Sequence, residues 1–165
     1  MQSYWIQSNA DRTTPERREV PLPEPAAGQV LVRMRAAGLN RGEIIPGHGL
    51  TKPGAAKPAG GECAGEIAKL GPGVTGFAAG ARVMGRCPGA FAEYALMDTR
   101  EVIAIPARLS WDEAASIPLT FTVVHDMLIA QGKLVAGEWL LVTGISSGVG
   151  VAALQTAKAL GAKVI

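Results

Sequence analysis

The chain has 165 residues, of which 48% are hydrophobic and 18% charged, with 21 glycines and 11 prolines. High hydrophobicity at low charge excludes an intrinsically disordered chain, and the glycines follow no collagen period. Sixteen Lys and Arg against 14 Asp and Glu leave a net charge of +2, without the basic stripe of a nucleic-acid binder.

The opening residues carry no basic stretch followed by an apolar one, so no secretory signal is expected. The mixed charges of Glu16, Arg17, Arg18 and Glu19 read as a solvated strand or turn surface. Gln29 to Ala37 alternates, with Val30, Val32, Met34 and Ala36 on one face and Arg33 and Arg35 on the other; this is the period of a half-buried strand. Glu62 to Leu70, Arg82 to Gly85, Phe91 to Met97 and Val102 to Ile105 are predicted as further strands, separated by Gly and Pro clusters. Short strands at this spacing suggest a small barrel or sandwich. Cys63 and Cys87 lie far apart with no C-x-x-C and are expected to be buried, reduced thiols.

After Pro106 the pattern becomes helical. Ser110-Trp-Asp-Glu113 fits a capping box, and the short helix it opens is broken near Pro118. Leu119 to Gln131 is predicted as the next helix; its polar Thr120, Thr122, His125 and Asp126 make it unfit to span a bilayer. Glu138 to Thr143 is predicted as a compact apolar strand, Ser147 to Leu160 as a helix closed by Gly161, and Ala162 to Ile165 as the start of another strand. Trp5, Trp111 and Trp139 are expected as core or interface anchors.

Strand, glycine-rich turn, helix and strand form a βαβ unit, the first step of a doubly wound nucleotide-binding sheet. The expected fold class is therefore a mainly β barrel domain followed by the first βα unit of an α/β Rossmann domain. The domains are drawn at residues 1–118 and 119–165, the second expected to be incomplete. Such a fragment is expected to be inactive alone and to bind dinucleotide weakly.

The chemical signal sits in the turn. Gly148-Val-Gly150-Val-Ala-Ala153 matches G-x-G-x-x-A after a predicted strand and at the start of a predicted helix. Gly144, Gly148 and Gly150 would permit a tight turn and close approach of a pyrophosphate, Val149 lies between two of them, and the helix N-terminus offers free N–H groups. Ser146 and Ser147 add hydroxyls beside the phosphates. The alternative is a turn that is glycine-rich for packing alone. A phosphate-binding loop of the G-x-x-x-x-G-K-[ST] type is absent. The residue that separates NAD from NADP falls at or past Ile165, so the nucleotide preference is not legible.

The arrangement resembles the medium-chain dehydrogenase/reductase superfamily, in its zinc-independent quinone-oxidoreductase-like branch. The resemblance rests on Ala37-Gly-Leu-Asn-Arg-Gly-Glu43, Gly60-Gly-Glu-Cys-Ala-Gly-Glu-Ile67, Leu70-Gly-Pro-Gly-Val-Thr-Gly-Phe77, Gly89-Ala-Phe-Ala-Glu-Tyr94, Ala114-Ala-Ser-Ile-Pro-Leu119 and Thr143 to Gln155, in that order. It implies a GroES-like barrel for substrate, a Rossmann domain for cofactor, and an active site in the cleft between them. Zinc enzymes of the superfamily place Cys, His and Cys where this chain has Asn40, Gly61 and, approximately, Pro118; none supplies a zinc ligand, and no metal is expected.

The implied activity is NAD(P)-dependent hydride transfer to a quinone, enone or related carbonyl, with NADP as the expected cofactor and NAD left open. By the same resemblance, Asn40 would contact the carbonyl oxygen or the nicotinamide, its alternative role being a turn cap. Glu43 stands where this branch commonly has Asp and would be a structural or proton-relay carboxylate. Thr122 would line the nicotinamide, unless its hydroxyl only bonds back to the preceding turn. His48 falls in a loop that forms part of the substrate mouth in this branch, though as a lone loop histidine it reads first as solvated; His125 reads as packing or surface.

The expected partners are a small-molecule carbonyl or quinone and, at full length, a second copy in a homo-oligomer, with neither nucleic acid nor membrane. The protein is expected to be soluble and cytoplasmic. Two further readings stay open: a short-chain dehydrogenase, whose opening turn is similar but sits near the N-terminus, and a non-catalytic nucleotide-binding or redox-sensing protein.

Overall fold

The computed structural model describes residues 1–9, 12–45 and 54–165; His48 lies outside the described residues. The chain packs as two compact units, Met1–Ser116 and Ile117–Ile165.

The first unit is mainly β. Strands β1 (Gln2–Ser8), β2 (Thr13–Glu19) and β4 (Lys57–Pro58) form a sheet ordered β2-β1-β4. Strands β3 (Gln29–Ala37), β5 (Glu62–Leu70), β6 (Arg82–Arg86), β7 (Tyr94–Asp98) and β8 (Ile103–Ala104) form an antiparallel sheet ordered β7-β3-β5-β6-β8. The Gln29–Ala37 and Glu62–Leu70 strands bring Val30, Val32 and Ile67 into a core shared with Val83 and Met97. Register is specified by this burial, since a slip of one residue would turn those side chains out of the core.

Two differences from the sequence reading have clear causes. The strand expected from Phe91 starts only at Tyr94, because the Phe91 N–H donates to Ala59 and its carbonyl accepts from Tyr4; those residues tie the two sheets together. β1 and β2 were not anticipated as a pair, yet they run in continuous register from Gln2 opposite Glu19 to Ser8 opposite Thr13. β2 leaves Glu16, Arg17 and Glu19 exposed, with the Arg18 guanidinium 4.5 Å from the Trp5 ring centroid.

Cys63 and Cys87 are free and fully buried. A hydrogen bond between them, together with burial, pushes the Cys63 thiol far above its ordinary pKa. Between β3 and β4 a short helix, α1 (Arg41–Ile44), follows Asn40. Helix α2 (Trp111–Ala115) closes the unit behind the expected capping box: Ser110 N–H donates to Glu113 Oε2 at 2.8 Å and Glu113 N–H to Ser110 Oγ at 3.2 Å.

In the second unit, Pro118 serves as the first residue of helix α3 (Pro118–Val124), a position where its missing N–H is harmless. The expected single helix then widens into a π-helical segment over His125–Gln131, ended by Gly132 N–H donating to the Met127 carbonyl. Strand β9 (Trp139–Leu140) pairs in parallel with β10 (Lys163–Val164), shorter than predicted. Bonds continue from Ile165 N–H to Leu140 and from Val142 N–H to Ile165. Helix α4 (Gly148–Ala159) packs on α3 through Val124, Ala152 and Ala153. Trp139 is not a core anchor: it is 63% exposed, with Lys163 Nζ over its ring. Among the described residues no helix is long and apolar enough to cross a membrane.

Candidate functional site

The turn between β9 and α4 is built as its sequence requires. Gly144 adopts φ +69°, a conformation that glycine enters at little cost. Gly150 is buried against the preceding turn, where a Cβ would meet the Gly144 carbonyl and come within 2.7 Å of Ile145 Cα. Only glycine allows that closeness.

Ser147 is the N-cap of α4 and its hydroxyl accepts from Gly150 N–H at 3.0 Å. Ser147 is thus a helix cap by observation, while the amides of Gly148 and Val149 sit in the exposed first turn, where a helix has N–H groups to spare. Ser146, Gly148 and Val149 are all exposed. A cradle of small residues, spare amides and the positive end of a twelve-residue helix suits an anionic phosphate. The residues present fit a dinucleotide's pyrophosphate. Beside the turn lies a cavity of about 230 Å³ lined by Val124, Leu128, Val142, Ser147, Gly150 and Ala153.

Helix α3 brings Thr120, not Thr122, against this turn: a Cβ on Gly148 would lie 3.2 Å from Thr120 Cγ2. Thr122 and His125 are exposed.

In the β unit a second polar cluster forms at the end of β3. Asn40 is half-buried and its Nδ2 donates to Glu62 Oε1 at 2.8 Å. Its backbone N–H points to Glu43 Oε2 at 3.4 Å. Glu62, the first residue of β5, is only 2% exposed.

The two carboxylates are seated by glycines. A Cβ on Gly61 would lie 2.5 Å from Glu43 Oε1, and one on Gly38 would come within 2.6 Å of Glu62 Cδ. Burial pushes the Glu43 carboxyl above its ordinary pKa and the charge of Glu62 adds to this, while the Asn40 N–H and Lys57 act in the opposite sense. The structure therefore joins Asn40 and Glu43, as candidates from sequence, to Glu62, which sequence reasoning passed over; the flanking Gly38 and Gly61 were the available signal. A larger groove of about 570 Å³, lined by Tyr4, Met34, Ala37 and Phe91 among others, contains none of these three residues. Among the described residues, no three His, Cys, Asp or Glu side chains are grouped to hold a metal ion.

Comparison with known proteins adds to this geometry. Residues 26–107 match the alcohol dehydrogenase GroES-like domain. The chain is 40% identical over 148 residues to the spectinabilin polyketide synthase system protein NorB of Streptomyces orinoci, covering 87% of this chain and 7% of that protein. It is 34% identical over 180 residues to acryloyl-coenzyme A reductase of Metallosphaera sedula, covering 91% of this chain and 54% of the reductase. Among solved structures it is similar to Escherichia coli quinone oxidoreductase complexed with NADPH, at TM-score 0.87 and 28% identity, covering 99% of this chain and 51% of that one. The chain thus spans about half the length of the reductase and of the oxidoreductase, and a small part of the synthase protein.

Proposed function

The chain belongs to the medium-chain dehydrogenase/reductase superfamily, in its quinone-oxidoreductase-like branch, and from that premise we propose that its protein is a zinc-independent, NADPH-dependent reductase of conjugated carbonyl compounds. The observation that carries this reading is the built cradle of Gly144, Ser147 and Gly150 at the start of α4. Gly148 and Val149 would hold the pyrophosphate through their amides, with Ser146 lending a hydroxyl. Thr120 sets the wall of that turn, and Thr122 is the α3 hydroxyl left at the surface.

Bound there, NADPH would supply the hydride that the side chains of this protein cannot. What the chain itself provides is charge stabilisation and proton control. Asn40 offers an N–H to the carbonyl oxygen of the acceptor, where negative charge grows; a donor fixed in advance is worth more than one that must reorient. Glu43, half-buried and with its carboxyl pushed up by burial, is placed to hold a proton and to release it toward the reduced product.

Two acceptor classes fit. A quinone or enone follows the similarity to quinone oxidoreductase. A 2-enoyl thioester is the second reading, favoured by the identity to acryloyl-coenzyme A reductase. Both place a C=C beside a carbonyl, so Asn40 would do the same work in either.

The test is a titration of the full-length protein with NADPH and with NADH, in the wild type and in Gly148→Asp. Saturable NADPH binding that the added carboxylate weakens at least about tenfold would support the cradle, since a like charge beside a phosphate is repulsive. Equal binding by both proteins would sink it.

A further inference from the structure

Glu62 is the carboxylate that the reading above leaves unused. It is 2% exposed, at a depth where a charged or polar group has to be hydrogen-bonded. Its Oε1 accepts from Asn40 Nδ2 at 2.8 Å. Its seat depends on Gly38, two residues before Asn40, where any Cβ would strike the Glu62 side chain. The Gly38 N–H also donates to the Glu62 backbone carbonyl at 3.2 Å, so the strand carrying the acceptor and the loop carrying the amide are fastened at both main chain and side chain.

An asparagine amide has a donor end and an acceptor end of nearly equal shape. A carboxylate is an acceptor only. When Oε1 of Glu62 faces the amide, the nitrogen has to turn inward toward it, and the oxygen cannot take that place without lone pair meeting lone pair. Nδ2 carries two hydrogens; one is bound to Glu62, and the other is the donor that remains for a ligand. Glu43 holds the neighbouring backbone, through the Asn40 N–H, so the side chain is oriented from one side and its main chain from the other.

We propose that Glu62 is a positioning residue: it selects the orientation of the Asn40 amide and so fixes Nδ2, not Oδ1, as the group presented to the substrate's carbonyl oxygen. This rests on the reductase reading given above for Asn40. Glu62 touches neither substrate nor cofactor in this assignment and acts through Asn40.

The experiment is a double-mutant cycle in the full-length protein, with NADPH and a soluble quinone or enone, using Glu62→Met, Glu62→Gln and Asn40→Ala. Glu62→Met keeps volume and removes the acceptor. It is expected to lower kcat by about tenfold to a hundredfold, the scale of a misplaced reacting group, with the NADPH Kd unchanged. In the Asn40→Ala background the same change should lower kcat no further. Glu62→Gln can still accept through Oε1 and is expected to recover part of the loss, and it also covers the case in which Glu62→Met does not fold.

The Asn40 side-chain amide resonances give a readout separate from turnover. In the wild type one Nδ2 hydrogen should be shifted downfield and exchange slowly; in either Glu62 variant that difference should shrink. Equal losses in the two backgrounds, or an unmoved Asn40 amide signal, would overturn the assignment. A wild type that shows the amide signature but no turnover would overturn the reductase reading instead.

Discussion

In the β unit Val30, Val32, Ile67, Val83 and Met97 are sealed at 2% exposure or less, whereas in the α/β unit Met127, Trp139 and Leu141 stand 56%, 63% and 68% exposed. The difference follows from the two kinds of sheet. Antiparallel strands with period-2 alternation need only one covered face, and the five-stranded sheet covers it from within its own unit. A parallel sheet of the kind that β9 and β10 begin wants both faces covered; here Lys163 lies over the exposed Trp139 ring, and α3 and α4 meet around a core of Val124, Ala152 and Ala153. The first unit is therefore held by large buried side chains, the second by small residues, one helix cap and close backbone packing at Gly150. Architecture built on large residues tolerates little deletion, while architecture built on small ones tolerates little addition.

The contrast can be broken from either side. Ile67→Ala should destabilise the β unit by about 2–5 kcal/mol, as a buried large-to-small change does; a denaturant midpoint close to wild type would show that its core is not what the burial implies. In the α/β unit Ser147→Ala should remove the α4 cap at about 1 kcal/mol, read as earlier fraying of the α4 amides in hydrogen exchange. No change in their protection would mean that the cap is idle.

Glu43 sharpens the comparison through pH. Its carboxyl is raised above the ordinary 4.5, so the folded chain keeps a proton that the unfolded chain has released. Stability should then fall as pH rises through the window above 4.5, and Glu43→Gln should remove that slope. The variant is expected to gain on the wild type at neutral pH and to lose the gain as pH approaches 4.5; parallel stability curves would contradict the burial of this group. The smallest effect is expected at Met127. Exposed as it is, Met127→Gln should change stability by no more than about 0.5 kcal/mol, and a larger loss by thermal unfolding would mean that this face is packed.

The long strands were legible, Gln29–Ala37 from its alternation of apolar and basic residues and Glu62–Leu70 from a run bounded by Gly60-Gly61 and Gly71, and both are found with the expected ends. β2 read only as a solvated strand or turn surface because all seven of its residues are polar or proline, and it is defined by its partner, not by its own pattern. The phosphate cradle was legible because its glycines are required by backbone geometry at Gly144 and Gly150. The packing of Thr120 against this turn was not, because no local pattern marks which α3 side chain meets Gly148. Glu62 was marked only indirectly, by the flanking Gly38 and Gly61, because its partner Asn40 is 22 residues away in sequence and the contact joins a strand end to a loop.

The most direct test of the account is a turnover measurement on the full-length protein with NADPH and a series of conjugated acceptors, quinones and enones beside a 2-enoyl thioester. The account predicts that NADPH is oxidised in step with reduction of the acceptor's conjugated system, without added zinc, and that Asn40→Ala lowers kcat by about a hundredfold or more, as loss of a single oxyanion donor does, while leaving the NADPH Kd in place. NADPH binding with no oxidation by any of these acceptors, or turnover indifferent to Asn40, would contradict it.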